Sequence, residues 1–217
     1  MIDNRPRKDK SVGYHKPVVG LAGGIGSGKS SVARIMSELG AGVIESDRLG
    51  HLEINSPEVK QTITRWWGPG AINADGTVDR KKVASIVFGD ASQRHRLETL
   101  LHPRIAIRRA DKMSEFDGQP RIKMIVLDTP LLYEADLDLM CDAVVFVGAD
   151  FELRKQRSEK SRHWPPGELA RREKAQQSLD MKRARADYIC ENNSTLADLR
   201  KQVERIVNQI LLEFGAA

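Results

Sequence analysis

The chain has 217 residues, 40% of them hydrophobic and 30% charged, which suits a soluble globular protein built as one domain or as one core with insertions. No apolar run approaches the roughly 18 residues that a membrane span needs, so no membrane partner is expected. The net charge of +5 is uneven: residues 151–187 hold eleven Lys/Arg against six Asp/Glu, the whole surplus in one segment, which suits a polyanionic ligand such as a nucleotide or a nucleic acid.

Residues 1–16 are polar and basic, lack the apolar stretch of a secretory signal, and are expected to form a disordered leader. "KPVVGLAG" (16–23) predicts a short buried strand opened by a proline. In "SSVARIMSELG", Val32, Ile35, Met36 and Leu39 fall at helical spacing and Gly40 supplies the stop. "AGVIESD" (41–47) predicts a second strand that ends in acid, completing a βαβ unit. About 70 residues without strand patterning follow, and their clearest helical pieces are 79–88 and 93–116. An insertion of this length in an α/β core tends to be functional.

"RIKMIVLDTP" (121–130) and "DAVVFVGA" (142–149) are continuous apolar runs, as parallel strands covered on both faces require. Segment 151–187 reads as a second helical insertion in which most arginines line a solvated face. "ADYICEN" (186–192) predicts a fifth strand. From about Thr195 to Phe214, apolar residues recur at steps of three and four, predicting an amphipathic helix. The two cysteines, Cys141 and Cys190, lack metal-ligand spacing and fit a reduced, cytoplasmic setting.

One motif is complete. Gly23-Gly24-Ile25-Gly26-Ser27-Gly28-Lys29-Ser30 matches G-x-x-x-x-G-K-[ST] between a predicted strand and a predicted helix. Glycines let such a loop curl so that its backbone N–H groups face phosphate oxygens, and the helix N-terminus adds positive potential. Lys29 would reach the β- and γ-phosphates, and Ser30 would offer its hydroxyl to Mg²⁺. The loop fixes the ligand class but not the reaction. Chain size favours a small kinase, with one insertion holding the acceptor and the other closing over ATP to exclude water.

Three further positions carry chemistry. Asp47, read as the end of the second strand, is placed to accept the proton of an attacking hydroxyl or to help hold Mg²⁺. Glu45, two residues earlier, would point the same way along a strand. Asp128 ends "MIVL" and could hold a water of the Mg²⁺ shell. Arg157 and Arg162 are the lid candidates for bidentate contact with the transferring phosphoryl group. His102, before Pro103, reads on its own as a structural histidine, and Trp66 and Trp67 read as packing within the insertion.

The chain resembles the dephospho-CoA kinase family. The resemblance is carried by "GLAGGIGSGKSSVA", the "VIESD" strand end, "DGTVDRKKVASIVF" (75–88), "LLHPRI" (100–105), "LDTPLLYE" (127–134) and "ADYICENN" (186–193). It implies an α/β P-loop nucleotide-kinase fold: a five-stranded parallel sheet with core segments 17–49, 120–150 and 186–217, a helical acceptor-binding insertion 50–119 and a lid 151–185. It implies transfer of the γ-phosphate of ATP to the ribose 3′-hydroxyl of dephospho-CoA, the last step of coenzyme A synthesis. Asp47 matches the family's proposed base and Arg157 its lid arginine, while Asp79, Arg80 and His102 fall in the acceptor region. ATP contacts are expected from Gly24, Ile25, Gly26, Ser27, Gly28, Lys29, Ser30, Ser31 and Arg162. Where the family commonly has Asp-Ala-Asp this chain has Glu45-Ser46-Asp47, and Ser31 replaces a common Thr. A monomer or weak homo-oligomer without nucleic acid is expected. The rivals are another small kinase and a nucleotide-switched nucleic-acid-binding protein, the latter weakened by the missing groove-reading motif.

Overall fold

The computed structural model describes residues 13–162, 164, 167–174 and 176–214, without the side chains of Ser161 and Arg162. In chain order the elements are β1 (Val18–Gly23), α1 (Lys29–Glu38), β2 (Ala41–Glu45), α2 (Ser46–Ile54), α3 (Pro57–Trp67), α4 (Arg80–Gly89), α5 (Ala91–Asp117), β3 (Met124–Asp128), β4 (Ala143–Gly148), α6 (Phe151–Arg162), α7 (Glu168–Glu173), α8 (Leu179–Arg185), β5 (Tyr188–Glu191) and α9 (Leu196–Glu213).

The chain divides into two compact units. The first comprises residues up to Ile44 and from Met113 onward. It holds a five-stranded sheet of order β2-β3-β1-β4-β5, in which β1 pairs in parallel with β3 and β4, and β4 with β5. Every residue of β1 and β4 is buried, which explains why both read as unbroken apolar runs. Helices α1 and α9 pack together and cover one face, with Val32, Ile35, Met36, Leu199, Val203, Ile206 and Ile210 in a common core with β1, β3 and β4. Helix α8 packs against β1 and β4. Each fully buried aliphatic side chain contributes about 1.5–3 kcal/mol, so this layer is the main source of the unit's stability.

The second unit is Glu45–Lys112. Ile54, Val59, Ile63, Ala71, Val78 and Val83 form its core, with Trp67, Leu97, Leu100 and Leu101 packed against it. Its turn 73–77 is closed by Asn73 N–H to the Thr77 carbonyl at 2.7 Å and by Thr77 N–H to Asp75 Oδ1 at 2.9 Å. Asp79 caps α4, its carboxylate accepting from the N–H groups of Lys81 and Lys82, both at 3.0 Å.

Three expectations change. The second strand stops at Glu45, and Ser46 and Asp47 open α2 instead of ending β2. An acidic residue in the first helical turn faces the positive end of the helix, which favours this assignment. Glu45 and Asp47 therefore do not share a strand face. His15 and Lys16, placed in the leader by sequence, are tied to the end of α5. The N–H groups of His15 and Lys16 donate to Asp117 Oδ1 at 2.9 and 3.0 Å, and Lys16 Nζ donates to the carbonyls of Phe116 and Gln119, both at 2.9 Å. A lysine at a helix C-terminus satisfies carbonyls that have no partner within the helix. The rest of the leader, residues 1–12, lies outside the described residues. The third change concerns the basic segment, described with the site.

Candidate active site

The glycine-rich loop runs from the end of β1 into α1. Gly23, Gly26 and Gly28 have φ of +144°, +75° and +97°, conformations that L side chains rarely adopt. Space forbids side chains as well. A Cβ on Gly23 would lie 2.4 Å from the Val147 carbonyl oxygen, and one on Gly26 would lie 2.6 Å from the Arg154 carbonyl oxygen. The loop is thus pressed between β4 and α6, and glycine is what permits that approach. The Gly28 carbonyl accepts from Ser31 N–H at 2.9 Å and Val32 N–H at 3.1 Å, starting α1. Lys29 folds back along the loop, its Nζ donating to the carbonyls of Gly23 at 2.9 Å and Gly24 at 3.1 Å.

Two hydroxyls beside the loop are buried without a hydrogen-bond partner among the described residues: Ser27 Oγ and Ser158 Oγ, each on a residue 1% exposed. A buried polar group left unpaired costs about 1–3 kcal/mol. Sites that retain such groups are suited to a polar ligand that satisfies them, and phosphate oxygens do so.

Asp128 closes β3, and the parallel register sets it opposite Leu21, two residues before Gly23. It therefore stands at the carboxyl end of the sheet, one strand from the loop, where ligands of open parallel sheets bind. Ser30 lies exposed in the first turn of α1. Among the described residues no three His, Cys, Asp or Glu side chains gather as a metal cage.

Most described arginines of the basic segment are exposed, Arg171, Arg172, Arg183 and Arg185 among them, but two of its cations are buried. Arg154 is 4% exposed and Lys182 2%. Arg154 Nε donates to the Ala149 carbonyl at 3.0 Å, and its Nη1 pairs with Glu173. Both groups lie against Gly24, where a Cβ would meet Arg154 Nη1 at 2.8 Å and Glu173 Oε1 at 3.2 Å. Lys182 Nζ pairs with Glu134 Oε1 at 2.8 Å and donates to Gln176 Oε1 at 3.2 Å. Burial pushes the Glu134 carboxyl up, but hydrogen bonds from Lys182 and from the Gln177 N–H outweigh it and hold the group below its ordinary value. Arg185 pairs with Asp138 at 2.8 Å and lies over the Tyr133 ring at 4.2 Å. Arg171 and Arg172 hold Glu168, lowering its pKa to about 2, and Arg172 covers the Trp164 ring at 4.5 Å. Much of the local charge surplus is thus engaged within the molecule.

Arg157, half-buried on α6, donates from Nη2 to the Asn192 carbonyl at 3.1 Å. The Asn192 side chain donates in turn to the Ser27 carbonyl at 2.7 Å. The structure therefore brings together Gly24 through Ser31, Arg157 and Asn192, with Asp128 one strand away. Sequence reasoning missed Asn192 as a site residue, although it stands in the "ADYICENN" stretch. The side chain of Arg162, at the end of α6, lies outside the described atoms.

The remaining candidates lie in the second unit. Asp47 is exposed in the first turn of α2. Arg80 opens α4, its Nη1 bonded to His51 Nδ1 at 3.1 Å, an arrangement in which that ring nitrogen accepts. His102 is exposed on α5, which runs unbroken through Pro103. Glu53, 3% exposed, accepts from Arg104 Nη1 at 3.2 Å and from Arg108 Nε. Burial raises the Glu53 carboxyl, and the two arginines more than reverse it. Trp67 donates from Nε1 to Gln93 Oε1 at 2.9 Å and packs on the unit's core, while Trp66 lies under Arg96 at 4.0 Å.

Comparison with known proteins adds an independent line. The family model of dephospho-CoA kinase matches residues 17–198. Dephospho-CoA kinase from Symbiobacterium thermophilum is 40% identical over 190 residues, 86% of this chain and 78% of that protein. The enzyme from Bacillus licheniformis is 34% identical over 195 residues, 88% and 95% of the two chains. Among solved structures, TT1252 from Thermus thermophilus superposes with a TM-score of 0.77 at 28% identity, covering 90% of this chain and 98% of that one. Dephospho-CoA kinase from Campylobacter jejuni has the same fold, with a TM-score of 0.63 at 22% identity over 90% and 98% of the chains.

Proposed function

The chain belongs to the dephospho-CoA kinase family, and from that membership we infer that it transfers the γ-phosphoryl group of ATP to the ribose 3′-hydroxyl of dephospho-CoA, yielding coenzyme A and ADP. The observation that carries this reading is the family match over residues 17–198, which runs through the phosphate loop and through the whole 45–112 unit. The fold is that of a P-loop kinase, with a parallel sheet whose first strand ends in the loop.

Phosphoryl transfer asks the protein for positioning and charge neutralisation more than for covalent chemistry. The loop Gly24 to Ser31 holds the triphosphate with those backbone N–H groups that its own turn and the start of α1 leave available, and Lys29 moves from the Gly23 and Gly24 carbonyls to the β- and γ-phosphates. Arg157 neutralises charge on the transferring group from the α6 side. Asp47 orients the 3′-hydroxyl and takes its proton as the new O–P bond forms and ADP leaves. Arg80 and His102 hold the acceptor. Ser30 and Asp128 offer hard oxygen donors of the kind Mg²⁺ takes, and they would hold it. A Mg²⁺ held there would supply charge neutralisation for the transferring phosphoryl group.

Cys141 and Cys190 are buried thiols outside any disulfide, the latter raised to about pKa 11 by burial, and they support a reducing cytoplasmic setting. No described helix is long and apolar enough to cross a membrane. The internal pairing of Arg154, Lys182, Arg171, Arg172 and Arg185 leaves the basic segment less charge for a nucleic acid than its composition implies.

An acceptor panel tests the reading. ATP-dependent turnover is measured with dephospho-CoA, nucleoside monophosphates, nucleosides and sugars. Preference for dephospho-CoA by a factor of about 1,000 or more in kcat/KM is expected for a site that hydrogen-bonds its acceptor. Faster turnover of any other class reassigns the protein to another small kinase.

A further inference from the structure

Asn192 is 7% exposed and stands 165 residues from the loop that its side chain touches. Its Nδ2 donates to the Ser27 carbonyl at 2.7 Å. A Cβ on Gly28 would come within 2.1 Å of the same nitrogen, so the amide lies directly against the Ser27–Gly28 peptide. Its backbone carbonyl accepts from Arg157 Nη2 at 3.1 Å, and its own N–H donates to the Gly148 carbonyl at 2.8 Å. One residue thus joins the phosphate loop, α6 and the end of β4.

The residue is itself firmly held. Glu191, its neighbour, exchanges backbone hydrogen bonds with the Gln202 side chain of α9 at 2.9 and 3.0 Å. Asn193, on the other side, bonds the Asp150 N–H at 2.8 Å and the Asp150 carboxylate at 3.0 Å. Asn192 is therefore anchored through its chain neighbours on both sides.

A trans peptide is planar, so the C=O of Ser27 and the N–H of Gly28 point in opposite directions. Holding the Ser27 oxygen toward Asn192 turns the Gly28 N–H away from Asn192. In a phosphate loop, function depends on such N–H groups being aimed before the ligand arrives, because reorientation on binding costs affinity. We propose that Asn192 is a positioning residue for ATP: it presets the Ser27–Gly28 peptide so that the Gly28 amide faces the nucleotide phosphates, and it aligns Arg157 from the same point. This deepens the kinase reading and rests on it for the identity of the nucleotide.

Asn192→Asp keeps the size of the side chain but replaces the donor with an acceptor facing a carbonyl; Asn192→Ala removes the group. Both are expected to raise KM for ATP and to weaken ADP binding about tenfold or more, while adenosine binding and KM for dephospho-CoA change by less than about twofold. Asn193→Ala, which loosens the same turn without touching the loop, leaves ADP affinity within about twofold, separating positioning from general support of the turn. In the wild-type protein, the Gly28 amide proton moves downfield when ADP is added and stays in place with adenosine. Wild-type affinity for ADP in Asn192→Asp overturns the inference. So does an equal loss for adenosine and ADP, or a Gly28 amide that ignores ADP, the last a readout that survives if the variants fail to fold. A wild-type protein that binds ADP with this pattern but ignores dephospho-CoA defeats the acceptor assignment and leaves the role of Asn192 standing.

Discussion

Lys182 Nζ and Glu134 Oε1 form an ion pair at 2.8 Å in which the lysine is 2% exposed. The pair ties α8 to the turn after β3, joining the basic segment to the loop that carries "PLLYE". Removing one partner leaves the other charge buried. Lys182→Ala is expected to cost about 3–5 kcal/mol of stability, and Lys182→Met paired with Glu134→Gln far less. Denaturant unfolding of the three proteins checks this. Equal losses for the single and double variants contradict an uncompensated charge as the cause.

Gly28 is constrained twice, by a φ of +97° and by the Asn192 amide 2.1 Å from where a Cβ would sit. Gly28→Ala is expected to cost about 1–2 kcal/mol from backbone strain alone, and more from the clash. ADP binding falls by more than tenfold, since the displaced amide no longer meets phosphate. Calorimetric titration with ADP provides the measurement.

Asp47→Asn retains shape and ATP affinity but cannot take a proton. Turnover is expected to fall by about 100-fold or more, with KM for ATP little changed, as general-base removal does. Stopped-time assays of coenzyme A formation give the answer, and unchanged kcat removes Asp47 from the mechanism.

Glu53 and Glu134 both have folded-state pKa values lowered from the ordinary 4.5, because arginine or lysine hydrogen bonds outweigh their burial. The unfolded chain binds protons at these carboxyls first. Their contribution to stability is full above pH 4.5 and is lost as pH falls through the lowered values. The melting temperature is expected to drop over that acid range, and less steeply in Glu134→Gln than in wild type. Parallel slopes for the two proteins would show that Glu134 does not contribute.

Much of this architecture is readable from the chain, for a definite reason. The loop is a local motif whose glycines, lysine and serine are contiguous, and β1, β3 and β4 announce themselves because burial on both faces demands unbroken apolar runs. What local pattern cannot carry is the long-range pairing. Arg154 and Lys182 look like solvent-facing cations until Glu173 and Glu134 are found beside them. Asn192 gains its role only from Ser27 and Arg157, which are remote in sequence. Asp47 reads as a strand end because "AGVIESD" continues the β pattern to its acid, whereas the chain turns helical at Ser46.

Transfer to the ribose 3′-oxygen distinguishes this kinase from every alternative. Wild-type protein is incubated with ATP, Mg²⁺ and dephospho-CoA, and the product is followed by ³¹P NMR. Stoichiometric ADP and one new phosphomonoester signal, on the ribose 3′-oxygen of the acceptor, are expected. ATP hydrolysis to free phosphate with dephospho-CoA unchanged, or a phosphoryl group on any other oxygen, would contradict that transfer.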